Sequence, residues 1–89
     1  MEHIDYKVPG GKLIRLGVEV RDDTIEKVEI HGDFFVHPES GLEKIESSLK
    51  GMEVNKVEEK IEKLLEREEL KIVGFEPKDL QEAIERAKS

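Results

Sequence analysis

Alternating apolar and polar residues occupy two consecutive stretches in the first third of this 89-residue chain. Within residues 12–21, apolar side chains recur at every second position from Ile14 to Val20, and Arg, Gly or Glu stands between them. This period of two is typical of a half-buried strand. Asp22 and Asp23 interrupt the pattern, and the alternation resumes over residues 24–31. Two alternating runs separated by a short polar turn predict an antiparallel hairpin.

Beyond the hairpin, the apolar residues recur at helical spacing. A first stripe has Leu42, Ile45 and Leu49 at i, i+3 and i+7, and Gly51 follows where a left-handed residue commonly ends a helix. Two further stripes comprise Val57, Ile61, Leu64 and Leu65, and then Leu80, Ala83, Ile84 and Ala87. The pattern therefore predicts three helices after the hairpin.

The last two helices have recognisable start signals. Asn55 with Glu58 three residues later has the spacing of a capping box, in which each side chain bonds a backbone amide of the first turn. Pro77 suits the first position of a helix, because its missing amide would have no partner there. Residues 71–75 form a short apolar run between these helices, and the pattern allows either a brief strand or a connector.

These elements predict an α+β fold in a single domain, residues 1–89, with a small antiparallel sheet packed against about three helices. The sheet consists of the hairpin, with the run at 71–75 as a candidate short third strand. A domain of this length has a modest core. We do not expect it to enclose a large substrate by itself.

The formal net charge of −7, with 36% apolar and 42% charged residues, restricts the choice of partner. Strong apolar periodicity argues for a folded chain despite this polar composition. A nucleic-acid partner is not expected, since no cationic stripe is present to displace counterions from a polyanion. Because the chain lacks cysteine, a bilayer-length apolar run and a leader-like N-terminal segment, we expect a cytoplasmic protein with no membrane partner.

A glycine turn with lysines at both ends precedes the hairpin and contains Lys7, Gly10, Gly11 and Lys12. Successive amides in such a turn can form a concave anion-binding site, to which the lysines add positive charge. The alternative is a structural turn that leads into a strand. The segment lacks the Ser or Thr and the following helix of a phosphate-binding loop. By itself, the pattern favours the structural turn.

Four potential metal ligands follow the hairpin at alternating spacing: His31, Asp33, His37 and Glu39. A structural explanation is simpler. His31 ends a strand, Asp33 lies in a turn, and Glu39 precedes a helix whose positive N-terminal end favours its charge. We therefore expect no metal site.

Two adjacent aromatic residues, Phe34 and Phe35, lie in the same segment. On an extended backbone they point to opposite sides, so that one can enter the core while the other is left for a partner. The alternative is that both are absorbed into the junction between the hairpin and the helices. No cysteine is present and the four serines lie in no catalytic motif, so we expect no catalytic residue in this chain.

Three segments together resemble the small C-terminal domain of lipoate-protein ligases. They are YKVPGGKL at 6–13, GDFFVHPE at 32–39, and the later pattern Leu42-Glu43-x-Ile45-Glu46-x-x-Leu49-x-Gly51. The GGK turn and the GDFF block, in this order and at this separation, are the most specific parts. The last two helices match only as a pattern, and the resemblance covers nearly the whole chain.

In that family, a large domain similar in fold to biotin-protein ligases binds lipoate and ATP and carries the catalytic lysine. The small domain normally follows it on the same chain. The resemblance therefore implies the separate accessory subunit of a split ligase, or else an excised domain. The implied role is in a heterodimer with the large subunit, which uses ATP, magnesium and lipoate to form lipoyl-adenylate before a lysine of the lipoyl-acceptor protein is modified. No cofactor is implied for this chain alone.

The resemblance also implies roles for two sets of residues. Contacts to the phosphate or adenylate held by the partner are expected from Lys7, Gly10, Gly11 and Lys12. The partner interface is expected to contain Asp33, Phe34, Phe35, His37, Pro38 and Glu39. An alternative from another functional class is a non-enzymatic adaptor or metal-responsive module that uses residues 31–39.

Overall fold

The computed structural model describes residues 1–88 and has the expected α+β architecture. In chain order the elements are β1 (Glu2–Lys7), β2 (Leu13–Arg21), β3 (Thr24–Gly32), β4 (Phe35–His37), α1 (Gly41–Leu49), a short 3-10 helix (Val54–Lys56), α2 (Val57–Arg67), β5 (Lys71–Val73) and α3 (Pro77–Lys88). The strands form a three-stranded antiparallel sheet of order β1-β2-β3 and a separate two-stranded sheet of β4 and β5.

The hairpin of β2 and β3 is confirmed. Its turn residues Asp22 and Asp23 have φ angles of 51° and 61°. Positive φ at both central residues of a two-residue turn matches the right-handed twist of the flanking strands. A register shift between Glu19 and Val20 interrupts the ladder. The turn identified from sequence therefore sets the strand pairing.

Strand β1, which pairs with β2 along its whole length, is the element that the sequence analysis missed. Only Ile4 and Tyr6 are apolar in it, and the neighbouring charged residues and His3 obscure the alternation. Tyr6 is nevertheless only 7% exposed, and the Arg86 guanidinium carbon lies 5.0 Å from its ring centroid. The apolar face of β1 becomes recognisable only once α3 covers it.

Residues 71–75 do contain a strand, β5, but it pairs with β4 and does not join the hairpin sheet. The outer edge of β3 is already occupied. Ile25 donates its amide to the Met52 carbonyl at 2.9 Å, and its own carbonyl accepts the Gly51 amide at 2.7 Å. Further along the edge, the Ile30 amide donates to Glu46 Oε2 at 2.8 Å. These bonds leave no place for β5 at the edge of β3, and the third strand of the sheet is β1, which pairs with the other edge of β2.

The core lies between the three-stranded sheet and the helices. Helix α1 packs on β3, α3 packs on β1 and β2, and α2 packs against both helices. The side chains that are completely or almost completely buried come from both layers: Ile14, Leu16, Val18, Ile25, Ile30, Ile45, Leu49, Val57, Ile61, Leu80 and Ile84. The opposite face of the sheet carries exposed charged residues. Among residues 1–88, no helix has the length and apolar character required to cross a bilayer.

The start of α2 differs from the predicted capping box. Asn55 lies within the 3-10 helix and is exposed. The N-cap residue is Lys56, and its side chain makes no capping hydrogen bond to the helix. Instead, Gln81 of α3 accepts the Glu58 amide at 2.8 Å and donates to the Val54 carbonyl at 2.7 Å. The inserted 3-10 turn moves Asn55 away from the helix start, so a side chain distant in sequence satisfies these groups.

Two other helix signals are confirmed. Helix α1 ends at Leu49, and Gly51 follows with a φ of 88°. Helix α3 begins at Pro77. Asp79, which is only 8% exposed, accepts the Glu76 amide on its carboxylate at 2.8 Å at this end of the helix.

Candidate functional site

The turn formed by residues 7–12, called the GGK turn below, is held by its own hydrogen bonds. The Gly11 amide donates to the Val8 carbonyl at 2.8 Å, and the Val8 amide donates to the Lys12 carbonyl at 3.0 Å. The Lys7 ammonium donates to the Gly11 carbonyl. Within residues 1–88, Lys12 is exposed and its ammonium has no ion-pair or hydrogen-bond partner. Lys12 is therefore the lysine of this turn that remains available to an anion.

The sheet of β4 and β5 separates the two adjacent aromatic residues. Phe34 is half-buried, and its ring meets Phe75 edge-on with a centroid distance of 5.0 Å and an interplanar angle of 89°. Phe35 is 77% exposed. The two rings thus point to opposite sides, as expected for extended backbone. The alternative, in which the junction absorbs both rings, does not hold for Phe35.

Val73 lies directly opposite Phe35 in the register of β4 and β5, and it is 53% exposed. Paired residues of an antiparallel ladder project from the same face, with Cβ atoms about 4.5–5.5 Å apart. His37 and Lys71 form the other exposed pair on that face. The sequence analysis missed Val73 and Lys71, because their exposure depends on the pairing of β5 with β4.

Gly74 connects the GGK turn to this pair of strands. A Cβ atom at Gly74 would lie 2.8 Å from the Phe34 Cβ, and a Cβ atom at Gly11 would lie 3.2 Å from the Gly74 carbonyl oxygen. The φ of Gly74 is 123°, a conformation that side chains with a Cβ rarely adopt. The absence of side chains at these two positions brings both sets of candidate residues together. A glycine within an apolar run is a sequence signal for such a close approach, and the sequence analysis did not use it.

A cleft of about 630 Å³ lies between the GGK turn and residues 72–79. Lys12 and Lys78 both line it, but the Lys78 ammonium already pairs with Glu76 at 3.4 Å. A second hollow of about 450 Å³ lies beside Phe35, and its apolar wall contains Phe34 and Leu42. Phe35 thus lines an open apolar hollow, whereas Lys12 and Val73 both line the cleft.

The potential metal ligands are not gathered into a ligand set. His31 belongs to β3, whereas His37 belongs to β4 of the other sheet, and both are exposed. Asp33 and Glu39 are also exposed. Within the part of the chain that the structure describes, no three His, Asp or Glu side chains could hold a metal ion together. This geometry does not favour the metal-responsive adaptor.

Pro38 of the predicted interface set links β4 to α1. The peptide bond between His37 and Pro38 is cis, and the Pro38 carbonyl accepts the Gly41 amide at 2.8 Å. Gly41 is buried, and a Cβ atom there would lie 2.7 Å from Val36 Cγ1. The hydrogen bond from Gly41 and its close approach to Val36 hold the start of α1 against β4.

Comparison with known proteins identifies the family. A family model described as the bacterial lipoate protein ligase C-terminus matches residues 3–86. Lipoate-protein ligase A subunit 2 of Thermoplasma acidophilum is 29% identical over 72 residues, which are 81% of this chain and 76% of the relative. A solved chain from an archaeal lipoylation system, comprising a bipartite lipoate protein ligase and its E2 lipoyl domain from Thermoplasma acidophilum, is 27% identical. It superposes with a TM-score of 0.75 over 92% of this chain and 96% of that chain. With its fold and nearly its whole length matched, the chain belongs to the family of lipoate-protein ligase C-terminal domains.

Proposed function

We propose that this chain is the accessory subunit of a two-component lipoate-protein ligase. The observation that carries the proposal is the similarity to a chain of a bipartite ligase, 96% of whose length is covered. The curated relative is likewise named as a ligase subunit. In the proposed heterodimer, a separate large subunit supplies the catalytic site, and this chain enables the activation of lipoate.

The proposed reaction has two steps. In the first, a carboxylate oxygen of lipoate attacks the α-phosphorus of ATP, the bond between the α-phosphorus and the bridging oxygen breaks, and magnesium pyrophosphate leaves. In the second, the amine of a lysine on the lipoyl-acceptor protein attacks the lipoyl-adenylate carbonyl. An amide forms, AMP leaves, and the amine loses a proton. Since this reaction consumes ATP, we place the heterodimer in the cytoplasm.

Lys12 is the residue through which we propose that this chain aids the first step. Its ammonium is exposed beside the cleft and is not paired within residues 1–88, so it can approach the phosphates held by the partner. Positive charge placed where phosphate charge develops lowers the barrier to transfer. The Lys7 ammonium donates to the Gly11 carbonyl, and the Gly11 amide donates to the Val8 carbonyl. These bonds support a role for Lys7 and Gly11 in organising the turn. The Gly10 amide is the remaining backbone candidate for a phosphate contact.

Lipoyl-adenylate formation tests this function. The large subunit is incubated with lipoate, ATP and magnesium, with and without this chain, and both pyrophosphate release and lipoyl-adenylate are measured. We expect formation to depend on the chain. Equal formation in its absence would exclude the accessory role.

The role of Lys12 is tested separately with Lys12→Ala. Because the side chain is exposed, we expect a loss of about tenfold in the adenylation rate, below the ~10²–10³ lost when a preorganised donor is removed. Lys27→Ala is the matched control, since Lys27 is an exposed strand lysine in β3, and we expect it to retain the full rate. An unchanged rate with Lys12→Ala would remove Lys12 from the proposal.

A further inference from the structure

The face of β4 and β5 that points away from the core is here called the ribbon face. It consists of Phe35, Val73, His37 and Lys71, all of them exposed. The intervening residues Val36 and Ile72 point inward and pack against the core. The ribbon face therefore combines one apolar pair with one basic pair and contains no carboxylate.

This composition is unusual within the chain. Across residues 1–88, the exposed large apolar residues are Met1, Phe35 and Val73, and the latter two are direct cross-strand partners. They therefore form one continuous patch. A contiguous exposed apolar patch marks a candidate interaction site, and aromatic residues are enriched at the centre of protein interfaces.

The charge around the patch identifies the chemistry of its partner. The chain as a whole has a net charge of −7, yet Lys71 and His37 occupy the ribbon face, and Lys12 lines the same cleft as Val73. In the described structure, neither Lys71 nor Lys12 forms an ion pair with a carboxylate. A complementary surface would present an apolar pocket bordered by Asp or Glu side chains.

We propose that the ribbon face docks the large ligase subunit, with Phe35 and Val73 entering an apolar pocket bordered by carboxylates on that subunit. The inference rests on the proposed function, which requires such a partner. It adds β5 to the interface and assigns Phe34, which packs on Phe75, to the internal support of the ribbon face.

Docking at the ribbon face also gives the GGK turn a defined position relative to the partner. The Gly74 carbonyl lies beside Gly11, and Gly74 directly follows Val73. A partner that binds Val73 therefore holds the neighbouring backbone, against which the GGK turn packs. The ribbon face is thus the docking element that brings Lys12 to the proposed phosphate contact.

Binding to the large subunit, measured by titration calorimetry, tests the apolar part of the ribbon face. Phe35→Ala should raise Kd by roughly 30-fold or more, the loss typical of an aromatic residue central to an interface. Val73→Thr keeps the β-branched shape, and therefore the strand, and should raise Kd by about three- to tenfold because a hydroxyl enters the apolar pocket. Thermal unfolding should show that both variants remain folded. Wild-type Kd values for both folded variants would overturn the inference.

A pair of charge reversals tests the basic part. Lys71→Glu and Lys27→Glu change the net charge equally, but only Lys71 lies on the ribbon face. We expect Lys71→Glu to raise Kd by about tenfold and to make Kd less dependent on salt concentration. Lys27→Glu should leave Kd close to the wild-type value. Equal effects of the two reversals would refute the proposed carboxylate border.

Self-association of the wild-type chain that Phe35→Ala abolishes would assign the ribbon face to a second copy of this chain and would overturn the inference.

The same samples distinguish failure of this inference from failure of the proposed function. If the wild-type chain stimulates lipoyl-adenylate formation and the ribbon-face variants bind and stimulate equally well, the docking surface is wrong and the accessory role stands. If the wild-type chain neither binds nor stimulates the large subunit, the proposed function itself is wrong.

Discussion

Replacing Gly74 by Ala is the most direct test of the close approach between Gly74 and Phe34 beneath the ribbon face. The substitution introduces a Cβ at a φ of 123° and places it 2.8 Å from the Phe34 Cβ. That carbon is attached to the backbone and cannot rotate away, so the chain itself must shift. Backbone strain at such a position costs about 1–3 kcal/mol. Forcing an extra methyl group into a packed site costs about 1–3 kcal/mol more.

The expected loss of about 2–6 kcal/mol is large for this chain, since a domain of this size has a free energy of unfolding of roughly 4–13 kcal/mol. Gly51→Ala is the matched control. Gly51 has a φ of 88°, and a Cβ atom there would have no heavy atom within 4 Å. It therefore incurs only backbone strain, about 1–2 kcal/mol.

Urea unfolding followed by far-ultraviolet circular dichroism measures both variants. The midpoint for Gly74→Ala should fall well below that for Gly51→Ala, with similar slopes. The loss of packing around Phe34 should also appear as a change in near-ultraviolet circular dichroism, which Gly51→Ala should not produce. If both variants lose the same free energy, the close contact between Gly74 and Phe34 does not constrain the structure, and the reasoning from that contact is wrong.

Two further predictions concern contacts between distant elements. Gln81→Ala removes both hydrogen bonds at the start of α2 and should lower the free energy of unfolding by about 1–3 kcal/mol. Asn55→Ala should change the free energy of unfolding by less than about 0.5 kcal/mol. A larger loss for Asn55→Ala than for Gln81→Ala would show that Asn55 caps the helix after all. The hydrogen bond and charge of Lys44 hold the pKa of the Glu68 carboxyl below its usual value, and Arg67 contributes in the same direction. A carboxyl with a lowered folded-state pKa stabilises the fold above its unfolded-state pKa and loses that contribution as pH falls through its folded-state pKa. Lys44→Met should therefore raise the pKa of Glu68 in an NMR titration, and the stabilities of variant and wild type should converge in acid; an unchanged pKa would refute the pairing.

Local patterns predicted the parts of the fold that depend on neighbouring residues. The turn at Asp22 and Asp23, the end of α1 near Gly51 and the start of α3 at Pro77 each rest on backbone preferences of a few consecutive residues. Those preferences act in any tertiary context, and the structure confirms all three. The opposite orientations of Phe34 and Phe35 belong to the same class, because alternation along extended backbone is a local property.

The predicted capping box was wrong although the spacing of Asn55 and Glu58 was correct, because residues from elsewhere in the fold surround the start of α2. Gln81 reached the start of α2 from a helix more than twenty residues away in sequence, a distance over which local pattern has no influence. The two sets of candidate site residues show the same limit. The sequence separated Lys12 from Phe35, and the close approach of Gly11 and Gly74 brought their segments together.

The sequence by itself determined the α+β class, the hairpin, the three helices and the family resemblance, since all of these follow from periodicity, turn chemistry and motif order. The tertiary structure decided which strand completed each sheet. Strand β1 occupied the free edge of β2, and hydrogen bonds from residues 46–54 occupied the edge of β3, so that β5 was left to pair with β4. That pairing placed Val73 beside Phe35 on an exposed face. Side-chain exposure depends on which backbone edges remain free after packing. The pattern of apolar and polar residues along the sequence does not contain that information.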